Sequence, residues 1–343
     1  MRWQARRDER YARTVPLDIV ATPLRNGTVT RRYDLGNGIE IRQLAPIRWD
    51  VAIVKSEVCE REREDLARIT HWLCATRERT SDPLAGHDLF ARAHAAAMTL
   101  QILCPTGNKH VFLRFQETPT GWDNIESSPP NKPLCKTFIG RSVDLEAQTF
   151  PQDFTPVYDG IRRANHDRLV RLINPVHLLE HGLQTCHAYL GTMFFVIGLD
   201  VLFMAGESER FIERVAGFLG PTTLLFPRIS FIDRQPNTTP QDVVESVYDL
   251  RNTVAHGQEI PEHPYRQPYR LMSTEGEQIN QIPYSYADFM LDSSLFLLTN
   301  ALRRVFTQGH YDNVASKKQW RQTLASFEHQ YKAHANQTAV AQD

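Results

Sequence analysis

The sequence has little that suits an exported, disulfide-stabilised protein. Its 343 residues include five cysteines, and no two of them form a C-x-x-C pair. An odd number of cysteines without paired spacing does not match a secreted disulfide framework, so we expect reduced thiols. The opening residues, 1–7, lack the apolar stretch of a signal peptide. These absences predict a cytoplasmic protein. The cysteines are Cys59, Cys74, Cys104, Cys135 and Cys186.

An excess of charge of one sign is also missing. The chain carries 39 Lys and Arg against 40 Asp and Glu, for a net charge of −1. A domain-wide basic surface is therefore excluded, and any contact with RNA must come from a local patch. Residues 1–43 hold nine Arg against five acids, and residues 297–343 hold six Lys or Arg against three. The first interpretation of both segments is solubilising surface.

Long apolar runs are scarce as well. The 18 residues from Ala188 to Ala205 contain a single charge, Asp200, and reach the length at which a membrane span must be considered. A carboxylate near one end, and polar helical turns before it, favour a buried core helix instead. No membrane partner is expected.

The first part of the chain has the patterns of a mixed α/β region. Gly36-Asn37-Gly38 separates the predicted strands 28–34 and 39–44, which is a hairpin signal. Residues 1–149 are interpreted as a region of unknown role. Its further predicted strands are Asp50–Lys55, His110–Gln116 and Cys135–Ile139, and its predicted helices are Arg61–Arg79 and His87–Leu103.

From about Phe150 onward, helical periodicity replaces the strand signals. We predict an α+β protein with a C-terminal all-α bundle over 150–310 and a basic tail helix in 311–343. The Pro-containing segments 220–237 and 258–283 are predicted to be loops. The predicted helices are Thr155–Ile173, Pro175–Ala205, Ser208–Leu219, Thr239–His256, Tyr286–Thr307 and Ser316–His334.

The predicted helix at 239–256 has the clearest ends. Thr239-Pro240-Gln241-Asp242 combines a capping hydroxyl, a proline suited to the first turn and an acid facing the positive helix end. Gly257 marks the stop. Val243, Val247, Leu250 and Val254 form a core stripe. Arg251 lies about 40° from Val247, so it borders this stripe and needs an anionic partner.

Arg251 and His256 together supply what RNA cleavage by internal transfer requires. His256 falls in the last turn, where the helix dipole favours imidazolium, and a histidine can move the proton of a ribose 2′-OH. A fixed guanidinium stabilises the phosphate oxygens. RNA carries its own nucleophile, so no metal or cofactor is expected. The two residues are ~140° apart on an ideal helix, which favours a composite site in a homodimer. The alternative is that both are ordinary structural residues.

The segment Arg251-Asn252-Thr253-Val254-Ala255-His256-Gly257 resembles the R-x4–6-H signature of HEPN domains. Residues 196–203 and 211–219 resemble two helices of the Apea-like HEPN group, and Val247-Tyr248-Asp249-Leu250 precedes the arginine as in that group. The resemblance covers roughly residues 150–310.

This resemblance implies a compact helical bundle, usually dimeric, and metal-independent RNA cleavage that leaves a 2′,3′-cyclic phosphate. Many members belong to toxin–antitoxin or phage-defence systems, so an antitoxin or a trigger molecule is an expected partner besides RNA. His256 would be the general acid/base, Arg251 the phosphate clamp and Asn252 a positioning group. Asp200 would be a polar partner on a neighbouring helix, one methylene shorter than the family's usual Glu.

Two alternatives remain open. A non-catalytic HEPN module would use Arg251 and a basic patch to bind RNA or a partner protein. A zinc hydrolase would use the H-x-x-E-H pattern of His177, Glu180 and His181, with Glu259 as a third protein ligand. Pro175 just before this pattern predicts the first turns of a helix, which speaks against a metal site.

Overall fold

The computed structural model describes most of the chain in two compact units. The first is built around strands of the N-terminal half, and the second is mostly helical, which confirms the predicted α+β class. The described residues are 16–24, 32–48, 66, 69, 71–79, 84–104, 112–127, 150–185, 187–223, 229–231, 239–258, 266–272 and 278–340.

The N-terminal unit contains a seven-stranded sheet in the order β2-β3-β5-β1-β6-β7-β4. All neighbours are antiparallel except β4 and β7. The predicted hairpin is confirmed, since β2 and β3 meet at Asn37, which has φ of 53°. The strands are β1 (Leu17–Pro23), β2 (Tyr33–Gly36), β3 (Ile39–Arg42), β4 (Ile47–Arg48), β5 (Trp72–Glu78), β6 (Leu113–Thr118) and β7 (Gly121–Ser127).

The predicted helix 61–79 is wrong over β5, which pairs with β1 on one side and β3 on the other. Trp72 to Ala75 are all buried, and a short apolar run buried on both faces fits a strand as well as a helix. The strands β1, β4 and β7 were not predicted. The predicted helix 87–103 is confirmed as α1 (Leu84–Leu103). The predicted strands 50–55 and 135–139 lie outside the described residues.

The helical unit follows the predicted pattern, with corrections to two predicted helices. The predicted helix 155–173 divides at Arg168, which has φ of 52°, and the next helix starts at Val170 and continues through the predicted break before Pro175. The predicted helix 175–205 divides between Gln184 and Ala188. Neither break has the glycine that usually marks a helix end. The helices are α2 (Phe150–His166), α3 (Val170–Gln184), α4 (Ala188–Phe203), α5 (Ser208–Leu219), α6 (Pro240–Ala255), α7 (Tyr286–Thr307), α8 (Tyr311–Ala315) and α9 (Lys317–Val340).

A small antiparallel sheet, in the order β10-β9-β8, forms where the sequence predicted only loops. Its strands are β8 (Ile229–Phe231), β9 (Arg266–Met272) and β10 (Gln278–Ser285). The expectation of an all-helical C-terminal part is therefore wrong here. Pro268 and Pro283 lie opposite each other, and Pro268 falls just beyond the part of β9 that pairs with β8. Proline lacks an N–H donor, and it hid these strands from the sequence pattern.

The core of the helical unit forms around α4, which contacts α3, α6 and α7. Gly191 allows α4 to approach α7 closely, since a Cβ there would overlap the side chain of Leu291. At 16 residues, α4 is shorter than the apolar run that contains it. Among the described helices, none is by itself both long and apolar enough to cross a membrane; α4 and α5 pass that test only as a pair, bent by 82°.

Candidate functional site

The helix α6 begins and ends as its sequence predicts. The Asp242 carboxylate accepts hydrogen bonds from the backbone N–H and the hydroxyl of Thr239, both at 2.7 Å. At the other end, Gly257 has φ of 63°, and its N–H donates to the carbonyl of Val254. The N–H of Gln258 donates to the carbonyl of Thr253, which completes a Schellman motif. Both ends of the helix that carries the candidate residues are thus fixed.

One face of α6 is buried against α4, α5 and α7. Val243, Val247 and Leu250 lie in the core as predicted, and Tyr248 is buried with them. Val254 is only half-buried, so the stripe ends one turn earlier than predicted. The C-terminal end of α6, which carries the signature residues, is therefore only partly covered by the rest of the bundle.

Arg251 lies at that edge, with 27% of its side chain exposed. Its Nη1 donates to Asn252 Oδ1 at 2.8 Å, and its Nη2 is 3.9 Å from Asp200 Oδ2. Its guanidinium carbon lies 5.7 Å from the centre of the Tyr248 ring. Its Nε is buried and has no hydrogen-bond partner among the described residues. The guanidinium is thus restrained while part of its donor capacity stays unused.

Asp200 comes to this point from the last turn of α4. Its Oδ1 accepts the N–H of Gly206 at 3.0 Å and so closes the turn between α4 and α5. Its Oδ2 faces Arg251 at a distance longer than a hydrogen bond. Arg214 fixes the same helix end, because its Nη1 donates to the carbonyls of Phe203 and Met204 at 2.9 and 2.7 Å. Asp200 therefore orients Arg251 across a gap rather than pairing directly with it.

The sequence interpretation gave Tyr248 no role in the site. Its ring packs on Phe211 of α5, with centroids 4.7 Å apart at 40°, and the guanidinium carbon of Arg251 lies 5.7 Å from the ring centre. The signal was available, because Tyr248 precedes Arg251 by three residues and such pairs meet on a helix surface. Tyr248 therefore lies between Phe211 of α5 and the Arg251 guanidinium.

His256 caps the C-terminus of α6 with φ of −91° and ψ of 4°. Its backbone N–H donates to the Asn252 carbonyl at 2.9 Å, and the residue is exposed. The structure brings Arg251, Asn252 and Asp200 together; within the described part of the chain, no contact joins the His256 ring to them. One chain therefore presents the guanidinium and the imidazole as separate groups near the same end of α6.

The H-x-x-E-H pattern lies in the middle of α3, because this helix begins at Val170 and not near Pro175 as predicted. His177 and His181 are exposed, and Glu180 accepts a hydrogen bond from Gln184 at 3.2 Å. No group of three or more His, Cys, Asp or Glu side chains in the described ranges could hold a metal ion. Glu259 lies outside those ranges.

Compared with known proteins, the chain matches no family model, no curated protein and no solved structure. The functional assignment accordingly depends on the geometry at the end of α6 and on the sequence signature that this helix carries.

Proposed function

We propose that this protein is a metal-independent endoribonuclease of the HEPN type, with Arg251 and His256 acting on the scissile phosphate. The observation that supports this most is the state of Arg251. Its guanidinium is held by Asn252, faced by Asp200 and supported by Tyr248, yet its buried Nε has no partner among the described residues. A restrained guanidinium with unused donors is suited to an oxyanion.

The reaction proposed is transfer within the RNA strand. His256 accepts the proton of a ribose 2′-OH, and the 2′-oxygen attacks the adjacent phosphorus. The bond from phosphorus to the 5′-oxygen breaks, and that oxygen leaves with a proton. The products are a 2′,3′-cyclic phosphate and a 5′-hydroxyl. Arg251 stabilises the negative charge that gathers on the non-bridging oxygens.

The proposal includes a homodimer. One exposed imidazole can take the proton from the nucleophile, but a second group must give a proton to the leaving oxygen. A second copy of α6 facing the first would supply that group and a second guanidinium. The contacts that hold Arg251 come from α4 and from α6 itself, with α5 behind Tyr248. The far side of the guanidinium remains the natural place for a phosphate shared by two copies.

The direct test is incubation of the purified full-length protein with end-labelled RNA in EDTA. We expect the parent to give cyclic-phosphate ends, and His256→Ala and Arg251→Ala each to lower the cleavage rate by about 10²–10⁴-fold. His181→Ala removes an exposed histidine from α3 and is the matched control. If both site variants cut RNA as fast as the parent, the assignment of these residues is wrong. A parent that binds RNA without cutting it would identify a binding module instead.

The composite site has its own test. Co-expression of the parent with the double variant Arg251→Ala/His256→Ala gives mixed dimers that hold one guanidinium and one imidazole. If the two copies share a site, these mixed dimers lose cleavage, because no second imidazole protonates the leaving oxygen. If each copy works by itself, the parent copy in each mixed dimer still cleaves RNA.

The proposal also assigns the protein to the cytoplasm and to a defence or toxin-like system, where an antitoxin or a trigger controls RNA cleavage. Cells that express the parent chain should stop growing, whereas cells that express His256→Ala at the same level should not. Equal growth arrest by both chains would contradict a toxic role that depends on cleavage.

A further inference from the structure

The N-terminal sheet gathers three arginines around one buried carboxylate. Asp18 lies on the central strand β1 and is only 1% exposed. Arg79 Nε is 3.2 Å from Asp18 Oδ1, and Arg114 Nη2 is 3.2 Å from Asp18 Oδ2. Arg77 stands directly opposite Asp18 in the ladder between β1 and β5. Residues directly opposite each other in an antiparallel pair project from the same face, so these three arginines and Asp18 occupy one patch.

Two of the three arginines, Arg79 and Arg114, donate hydrogen bonds to the Asp18 carboxylate. Arg79 donates from Nε to Asp18 and from Nη2 to the Glu117 carbonyl at 3.0 Å. Arg114 completes the pair of bonds to the Asp18 carboxylate. With both oxygens occupied, Asp18 holds the guanidinium groups of Arg79 and Arg114 in fixed positions.

Arg77 is different. Its Nε and Nη2 are both buried, and neither has a hydrogen-bond partner among the described residues. A buried guanidinium N–H without an acceptor costs free energy, since the donor has lost water and gained nothing. A buried polar group without a partner calls for an explanation, and an ion or ligand that supplies the acceptor is one. The Nε and Nη2 donors of Arg77 are therefore suited to an anion.

The charge of the patch points to the kind of anion. The side chains of Arg77, Arg79, Arg114 and Asp18 together carry a formal charge of +2. Asp123, in register with Gln116 on β6, is already paired with Arg48 at 2.8 Å. A carboxylate ligand would bring one negative charge, whereas a phosphate monoester brings up to two, with three acceptor oxygens that match guanidinium forks.

We infer that the face of the N-terminal sheet formed by Arg77, Arg79 and Arg114 around Asp18 is a binding site for a phosphate group. Asp18 acts as a positioning residue that fixes two guanidinium groups, and Arg77 supplies the free donors. The site is distinct from the proposed nuclease residues, and its test measures binding and not cleavage. Failure of one proposal therefore leaves the other standing.

The test measures binding of inorganic phosphate to the full-length protein by calorimetry, with acetate as the carboxylate comparison. We expect phosphate to bind more tightly than acetate, and Arg77→Gln to weaken phosphate binding by about tenfold or more. Arg32→Gln removes one positive charge from a residue that pairs with Glu40 on β3 and is the matched control. Its phosphate affinity should equal that of the parent.

A second measurement separates a ligand site from a structural arginine. Without phosphate, Arg77→Gln should melt at the same or a higher temperature than the parent, because it removes a buried cation that lacks a partner. A lower melting temperature would show that Arg77 is a structural residue and would overturn the inference, as would phosphate affinity unchanged in Arg77→Gln.

The source of the phosphate is distinguished by two further probes. If a nucleoside monophosphate competes with inorganic phosphate and a short RNA does not, the ligand is a free nucleotide. If the short RNA competes and the nucleoside monophosphate does not, the ligand is the nucleic-acid backbone. If neither competes and inorganic phosphate does not bind to the parent, the patch is not a phosphate site.

Discussion

The two units of this protein assemble their charged clusters in different ways. In the helical unit, Arg251 and Asn252 lie on α6 and His256 caps it, so one helix sets the arrangement of all the candidate residues except Asp200. In the sheet unit, Asp18 meets Arg79 and Arg114 across 61 and 96 residues of sequence. A helix brings residues three and four apart together, whereas a sheet joins distant segments side by side. Sequence spacing can therefore reveal the first kind of cluster and not the second.

The difference extends to how each cluster is stabilised. Arg251 is partly exposed and stands 3.9 Å from its acid, so its position depends on the packing of Tyr248 and on Asn252. Asp18 is buried, and both of its oxygens are bound to guanidinium groups. The ion pairs of Asp18 therefore stabilise the folded sheet unit. Arg251, in contrast, is held in place by the packing of the folded helical unit.

The largest effect is expected at Asp18. Asp18→Ala would leave three arginines close together without their carboxylate, and the free energy of unfolding of the sheet unit should fall by about 3 kcal/mol. Amide hydrogen exchange in β1 and β5 under increasing urea measures this locally. Glu78→Ala, which removes an exposed acid from β5, is the control and should change little. If Asp18→Ala changes the free energy of unfolding as little as Glu78→Ala does, the Asp18 ion pairs do not stabilise the sheet unit, and the contrast with the helical unit is wrong.

The helical unit should instead be sensitive to close approach between helices. A Cβ added at Gly217 of α5 would overlap the backbone carbonyl of Phe327 on α9, which cannot rotate away. Gly217→Ala should lower the free energy of unfolding by about 2 kcal/mol through overpacking. The comparison variant is Gly257→Ala, where a Cβ meets open space but φ is 63°, and about 1 kcal/mol is expected there. Equal losses at the two sites in urea unfolding would contradict a role for helix spacing at Gly217.

These contacts also explain how much of the fold the sequence could predict. The ends of α6 and α7 were predicted almost to the residue, because capping groups and the glycine stop lie within the helix sequence itself. The strand β5 was predicted as a helix, because its identity comes from pairing with β1 and β3 and not from its own pattern. Partners distant in sequence decide between strand and helix for a short apolar run.

A smaller effect is expected from the aromatic support of Arg251. Tyr248→Leu removes the ring between Phe211 and the guanidinium, and cleavage of RNA in EDTA should slow by about tenfold. Tyr248→Phe keeps the ring and should cut at nearly the parent rate. Leu is smaller than Phe and leaves space in the core beside Phe211, so thermal unfolding checks that both variants remain folded. If Tyr248→Leu and Tyr248→Phe cleave RNA at the same rate, Tyr248 contributes to core packing and not to the position of Arg251.

The candidate site was predicted only in part for a related reason. Arg251, Asn252 and His256 were found from their order along α6, and Asp200 from its place in a segment that resembles a known pattern. The orientation of Asp200 was not predictable, since it depends on the turn that Gly206 makes after α4. The patch around Asp18 gave no local signal, because its members are distributed over three strands.

The smallest effect concerns a half-buried histidine of the helical unit, His310, in contrast to the fully buried and hydrogen-bonded Asp18 of the sheet unit. The His310 ring lies 5.3 Å from the ring of Phe218, and burial, followed by the positive charge of Arg304, lowers the pKa of His310 below its ordinary value of 6.5. As pH falls through that value, the unfolded chain takes up a proton that the folded chain does not, so stability is lost on acidification. We expect His310→Gln to lose less free energy of unfolding than the parent when pH is lowered from about 7.5 to about 5. The matched control, His166→Gln, removes an exposed ring. A loss in His310→Gln as large as that of the parent would show that His310 does not couple folding of the helical unit to pH.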